Sequence, residues 1–196
     1  MFKISINDDL FLPHAGCRID FKISEGEVVF FTGSNGLGKT TLMRRIHMEQ
    51  KSNCVHIEQG HLTSFYDRKL GKIKEIFLNS KKIPLNEDKF SYLWKAFGLN
   101  EKEQRFQSTL SGGEEQALKL CLGLAIDSPL YILDEPGQHL DNYSKSIVSD
   151  WIQEEQRHLK SIILVEHDLG WTKVLRTIHE LKLEKQILVL GRSWTT

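Results

Sequence analysis

The chain has 196 residues, 40% of them hydrophobic and 27% charged, the make-up of an ordinary globular protein with enough length for a real core. Its 26 basic and 26 acidic side chains cancel, which leaves no net electrostatic footprint for a nucleic-acid backbone, so no nucleic-acid partner is expected. Cys17, Cys54 and Cys121 lie too far apart for metal-ligand or CxxC spacing, which fits a reducing compartment. No apolar run approaches the ~20 residues that a spanning helix needs, and the opening MFKISINDDL lacks a signal-peptide pattern. A cytoplasmic protein is expected, with any membrane connection made through a partner.

In chain order, FKISI (2–6) and RIDFKI (18–23) alternate apolar and polar residues as half-buried strands do. SEGE (24–27) reads as a turn and VVFF (28–31) as a fully buried strand. A glycine loop and a helix from about 39 to 49 follow, then CVHIE (54–58) as a short strand. From about 60 to 127 the strand signal vanishes, and KIKEIFL, KFSYLWKAFGL and EEQALKLCLGLAI all favour helix. YIL (131–133) and SIILV (161–165) return as buried strands, and between them Tyr143, Ile147, Val148, Trp151 and Ile152 recur at helical spacing. HELKLEKQILVL closes the chain as a hairpin-like pair of strands. This alternation predicts an α/β fold with a mainly parallel sheet and flanking helices, N-terminal antiparallel strands and an inserted helical subdomain. The expected division of the single domain is a core of 1–59 and 128–196 with a helical insert at about 60–127.

GSNGLGKTT (33–41) carries the spacing GxxxxGK[ST] between a buried strand and a helix, the phosphate-binding P-loop pattern of a nucleotide-binding fold. Its glycines let backbone N–H groups converge on a phosphate with no Cβ in the way. The candidate ligand-binding residues are Gly33, Ser34, Asn35, Gly36, Leu37, Gly38, Lys39, Thr40 and Thr41. Lys39 can reach the β- and γ-phosphates, the Thr40 hydroxyl can ligate Mg²⁺, and the helix that follows adds the positive end of its dipole. PLYILDEP (129–136) supplies the carboxylates. Asp134, at the carboxyl end of a parallel strand, is placed to hold the metal, and Glu135 to orient and polarise an attacking water.

LSGGEEQ (110–116) opens a helix with Ser111 as a cap and two acidic residues in the first turn. Behind a P-loop and ahead of Asp134, it closely resembles the signature motif of the ATP-binding cassette (ABC) ATPases. Further matches follow in that family's order. Gln59 in HIEQG is similar to the Q-loop glutamine, PGQHLD ends in a D-loop aspartate at Asp141, and ILVEHD carries a switch histidine at His167. The resemblance runs from about 2 to 191. Ala117 and Glu166 depart from the residue types common in the family, and the segment between Lys39 and Gln59 is shorter than usual.

The resemblance implies a subunit that binds and hydrolyses ATP to power an ABC transporter. ATP would be sandwiched between two cassettes, with Ser111, Gly112 and Gly113 of one capping the γ-phosphate held by the other and Asp141 nearby. Glu135, His167 and Gln59 would serve catalysis, and Thr40, Gln59 and Asp134 would hold Mg²⁺. The implied partners are a second cassette, identical or paired, and an integral membrane permease that keeps the chain at the inner face of the membrane. A groove for a short permease helix has Phe65, Tyr66, Phe77, Phe90, Tyr92, Trp94 and Phe97 as candidate lining, and Phe11 is the candidate for stacking on adenine. The alternative is a soluble non-transport ABC ATPase of the ribosome-associated or DNA-repair type. Neutral charge and the lack of sustained heptads weigh against it. The cargo is chosen by the permease and is not read from this chain.

Overall fold

Three apolar runs are unbroken, VVFF, LYIL and SIILV, and each becomes a strand covered on both faces. The computed structural model describes residues 4–6, 21–34, 36, 38–50, 53–166, 169–172, 178–184 and 187–194. Phe11, Cys17, Asn35, Leu37, His167 and Asp168 lie outside these residues. Along the chain, β1 (Ile4–Ile6) and β2 (Phe21–Ile23) form a separate antiparallel pair. β3 (Val28–Gly33) then leads through the glycine loop into α1 (Lys39–Gln50). Next come β4 (Cys54–Ile57), α2 (Leu70–Leu78), α3 (Glu87–Ala96), α4 (Gly112–Leu124) and β5 (Leu130–Asp134). The chain continues with α5 (Asn142–Arg157), β6 (Ser161–Val165), β7 (Ile178–Glu184) and β8 (Ile187–Trp194).

The main sheet runs β4-β5-β6-β3-β7-β8. Its neighbours are parallel from β4 to β7, and β8 returns antiparallel along β7. The fold is therefore α/β, a mainly parallel sheet with flanking helices. The chain divides into two units, Met1–Gln59 with Pro129–Pro136 and Ser149–Thr196, and Gly60–Ser128 with Gly137–Val148.

In the first unit, alternate residues of three strands (Val29, Phe31, Leu130, Ile132, Ile163 and Val165) share a buried cluster with Leu42, Met43 and Ile46 of α1. Those three α1 residues make one apolar stripe, as a helix lying on a sheet requires. The alternate strand positions face the other way, and there Tyr131 meets Trp151 of α5 edge to face at 4.8 Å. Each fully buried side chain of this kind stabilises the fold by about 1.5–3 kcal/mol. β3 and α1 are thus fixed on either side of the glycine loop between them.

The second unit is helical, with two isolated bridges, Lys69 to Phe106 and Leu85 to Ile126, among its described residues. The Asn86 side chain caps α3 by accepting the Lys89 N–H at 2.9 Å, and Gly98 follows the helix at φ 66°, a conformation that glycine adopts without strain. Phe77, Phe90 and Trp94 stack in sequence at 6.2 and 5.4 Å. Phe90, Trp94 and Phe97 are buried, so these three candidates for the groove lining are core residues instead. The spacing of Phe90 and Trp94 puts them on the inward stripe of α3, and Phe97 caps its end. Tyr66 and Tyr92 are exposed. Among the described residues no helix is long and apolar enough to cross a membrane.

Candidate functional site

The glycine loop leaves β3 at Gly33 (φ 145°) and passes Gly36 (φ 80°) and Gly38 (φ 92°), angles that a residue with a Cβ resists. At Gly36 a Cβ would meet nothing within 4 Å, so the backbone angle, not space, calls for glycine there. Lys39 folds back over the loop, its Nζ donating to the carbonyls of Gly33 at 2.7 Å and Ser34 at 3.1 Å. Burial lowers the Lys39 pKa, while the carboxylates of Glu135 and Asp134 pull it the other way. The Leu42 N–H bonds to the Gly38 carbonyl at 2.9 Å, which closes the first turn of α1. The earlier N–H groups of that turn have no partner within the helix and face the loop with the positive end of its dipole. Thr40 is half-buried, and Ser34, Gly36 and Thr41 are exposed.

Asp134 ends β5 and is 2% exposed, with both carboxylate oxygens lacking a hydrogen-bond partner. Burial raises its pKa. The nearby Thr40 hydroxyl and, more weakly, Lys39 act against the rise, while Glu135 and Glu58 add to it. A dry carboxylate with idle lone pairs is costly, and beside a hydroxyl it is the donor set that a hard divalent cation takes.

Glu135, the next residue, is half-buried at φ 52°, an angle costing on the order of 1–3 kcal/mol for a non-glycine residue. Its N–H is held by the Val165 carbonyl at 2.9 Å. Its Oε2 accepts a hydrogen bond from Gln59 Nε2 at 2.6 Å. The sheet explains the meeting. Parallel β4 and β5 pair Ile57 with Leu133, and two residues on along each chain stand Gln59 and Glu135. Their separation of 76 positions hides this bond from any local reading of the sequence. His167 follows β6, whose Val165 pairs with Asp134, but lies itself outside the described residues.

In the second unit, α4 begins with a capping box. Ser111 Oγ accepts the Glu114 N–H at 3.3 Å, and Glu114 Oε2 accepts the Ser111 N–H at 2.8 Å. Arg105 Nη1 donates to the other Glu114 oxygen at 2.9 Å. Gly113 packs against the carbonyl of His139, a residue at φ 64°. Asp141 caps α5, with Oδ1 accepting the Ser144 N–H at 2.7 Å, and that bond lowers its pKa. A structural use of Asp141 as a helix cap had no place in the motif reading, although Asp followed by an amphipathic helix signals one.

The structure thus brings Lys39, Thr40, Asp134, Glu135 and Gln59 together at the carboxyl edge of one sheet. Ser111, Gly112 and Gly113 open a helix in the other unit.

A profile of the ABC transporter family matches residues 17–138. The lipoprotein-releasing system ATP-binding protein LolD of Buchnera aphidicola subsp. Schizaphis graminum is 27% identical over 193 residues, covering 84% of this chain and 84% of that protein. The zinc import ATP-binding protein ZnuC of Wigglesworthia glossinidia brevipalpis is 30% identical over 187 residues, covering 89% and 78%. A solved ATP-binding subunit of an ABC transporter has a TM-score of 0.74 at 19% identity over 91% of this chain and 82% of its own, a likeness of fold. With its profile matched over more than half its length, the chain belongs to the ABC transporter family, as an ATP-binding domain.

Proposed function

We propose that this chain hydrolyses ATP to drive a transporter, with the nucleotide closed between the P-loop of one cassette and the signature helix of a second copy or paired cassette. The observation that carries this reading is Asp134, a buried carboxylate with no hydrogen-bond partner, adjoining Thr40 and Lys39 at the end of the glycine loop. The core would be 1–59 and 128–196, and the helical subdomain bearing the signature about 60–127.

The backbone from Gly33 through Ser34, Asn35, Gly36 and Leu37 to Gly38 would wrap the phosphates, with Thr40 and Thr41 in the first turn beyond. Lys39 would exchange its loop carbonyls for the β- and γ-phosphate oxygens. Thr40, Asp134 and Gln59 are the residues to hold Mg²⁺, which when bound neutralises charge developing on the phosphates. Gln59 must first leave Glu135. Glu135 would then take a proton from a water whose oxygen bonds to the γ-phosphorus as the bond to the bridging oxygen breaks, leaving ADP and inorganic phosphate. His167 would steady the γ-phosphate. Ser111 with the Gly112 and Gly113 N–H groups would cap the γ-phosphate of the partner cassette, as free N–H groups at a helix start cap anions. Asp141, by capping α5, would keep its loop in place for that closure.

The permease would hold the chain at the cytoplasmic face of the membrane. The two relatives are named for lipoprotein release and zinc import. So wide a difference in cargo on a shared ATP-binding domain supports a cargo set by the permease.

The decisive experiment compares ATP binding and magnesium-dependent hydrolysis in the wild type, Lys39→Ala and Glu135→Gln. Lys39→Ala should lose ATP binding. Glu135→Gln should bind ATP, lose turnover by about 10²–10⁴-fold and accumulate as a dimer. Full turnover in both variants would overturn the assignment.

A further inference from the structure

Glu115, in the first turn of α4, has a carboxylate only 13% exposed and three donors around it. Its Oε1 accepts the Leu62 N–H at 2.7 Å and Gln107 Nε2 at 3.2 Å, and its Oε2 meets His61 Nδ1 at 2.8 Å. Burial pushes its pKa up, but the His61 and Leu62 donors outweigh burial and hold it below the usual carboxylate range. One turn further along α4, Lys119 Nζ donates to the Gly60 carbonyl at 2.7 Å. Three consecutive residues, Gly60, His61 and Leu62, are therefore stitched to one face of a single helix. Bonds to a charged carboxylate are stronger than neutral ones, and an anion in the first turn of a helix is favoured by its dipole.

The stitched segment follows directly on Gln59. Gly60 itself stands at φ 104° with nothing within 4 Å of a notional Cβ, so it is a swivel chosen for backbone freedom and not for lack of room. Upstream of the swivel, Gln59 holds Glu135 at 2.6 Å. Downstream, the backbone is fixed to the helix that begins next to Ser111.

Resting on the roles given above to Gln59 and Ser111, we propose that Glu115, seconded by Lys119, is a positioning residue for hydrolysis. It ties the backbone leaving Gln59 to the signature helix, so that release of Gln59 from Glu135 moves the Ser111 cap. A staple that only folded the 60–62 loop would stabilise the chain without linking nucleotide to α4. The clamp on both sides of one carboxylate, with a swivel glycine at its edge, serves such a linkage.

Hydrogen exchange of the full chain, with and without magnesium and ATP, tests this in the wild type, Glu115→Ala, Glu115→Gln and Lys119→Met. In the wild type, ATP should change exchange at the amides of 60–62 and of 111–116 together. In Glu115→Ala the first change should persist and the second disappear, with the ATP dissociation constant unchanged and kcat lowered about 5–150-fold. Glu115→Gln keeps an oxygen acceptor for the Leu62 N–H and should recover part of both. An undiminished joint response and kcat in Glu115→Ala would overturn the proposal. Should Glu115→Ala fail to fold, an undiminished joint response in Lys119→Met would overturn it. Wild-type chain that binds no ATP would instead overturn the proposed function, a different result from one in which ATP binds and only the coupling is missing.

Discussion

Gly113 lies so close to His139 that a Cβ built on it would sit 2.7 Å from the His139 carbonyl oxygen, whereas one on Gly112 would stand 3.6 Å from the nearest atom of the His139 ring. The first distance is a clash with backbone and the second is ordinary contact. Gly113→Ala should therefore destabilise the chain by about 1–3 kcal/mol, and Gly112→Ala should leave its stability the same or slightly higher. Urea denaturation of the two variants decides it, and equal stabilities would contradict the packing.

The buried, unpartnered carboxylate of Asp134 is a burden on the fold. Its folded pKa lies above the unfolded value, so the fold loses stability as pH rises from the unfolded value through the folded one. Asp134→Asn should make the nucleotide-free chain more stable at pH 7, by about 1–3 kcal/mol. The same variant should lose the extra stability conferred by magnesium with ATP. Thermal unfolding with and without both ligands separates the two effects. Lower stability of the ligand-free variant would argue against an unpaired carboxylate.

His56 of β4 is a buried neutral base. Its side chain is 1% exposed, neither ring nitrogen has a hydrogen-bond partner, and the His47 ring of α1 lies 5.4 Å away. Burial pushes its pKa down to about 4 from 6.5, helped by His47 and Arg44 and opposed by Glu58. The unfolded chain thus takes up a proton near pH 6.5 that the folded chain refuses until about pH 4. His56 contributes stability that is full above the first value and lost on the way down to the second, on the order of 3 kcal/mol. His56→Leu should flatten that part of the stability profile, measured by denaturation at several pH values. An unchanged slope would place the acid sensitivity elsewhere.

Tyr66 and Phe106 offer exposed aromatic surface, 59% and 44% exposed, on two neighbouring segments of the helical unit. The Ser108 N–H bonds to the Tyr66 carbonyl at 3.2 Å, and Lys69 bridges to Phe106 with its ammonium 5.8 Å from the ring centre. Changing both aromatics to serine should shift stability by no more than about 0.5 kcal/mol each and spare hydrolysis by the isolated chain. If the proposed permease partner docks there, recovery with it should fall. Undiminished recovery would overturn a docking role for these two residues.

What could be read from the sequence was what the chain keeps local. A strand, a glycine loop and a helix succeed one another within the run from Val28 to Gln50, so the P-loop was legible from spacing. Ser111 as the cap of a helix with an acidic first turn was legible too, and the structure adds its reciprocal bond with Glu114. The bond between Gln59 and Glu135 was not, because it depends on β4 lying beside β5 in the sheet order. The candidate lining mixed Phe90 and Trp94, four apart on one face of α3, with Tyr92 on the other, because spacing separates the two faces without saying which one is covered. Glu115 reads in sequence as one more acid in a first turn. Its partners His61 and Leu62 sit more than fifty positions upstream.

Glu135 occupies a backbone angle at which glycine would be more comfortable. Its aim is therefore set by the main chain, and exchange for glutamine should preserve that aim while altering only what the group can accept. Exchange for glycine would slacken the joint after β5 and remove the carboxylate at once, so equal losses of activity in the two variants would have unequal origins. A chain shaped for durability alone would have put glycine there, and the glutamate marks a position where the acid is worth more to the protein than ease.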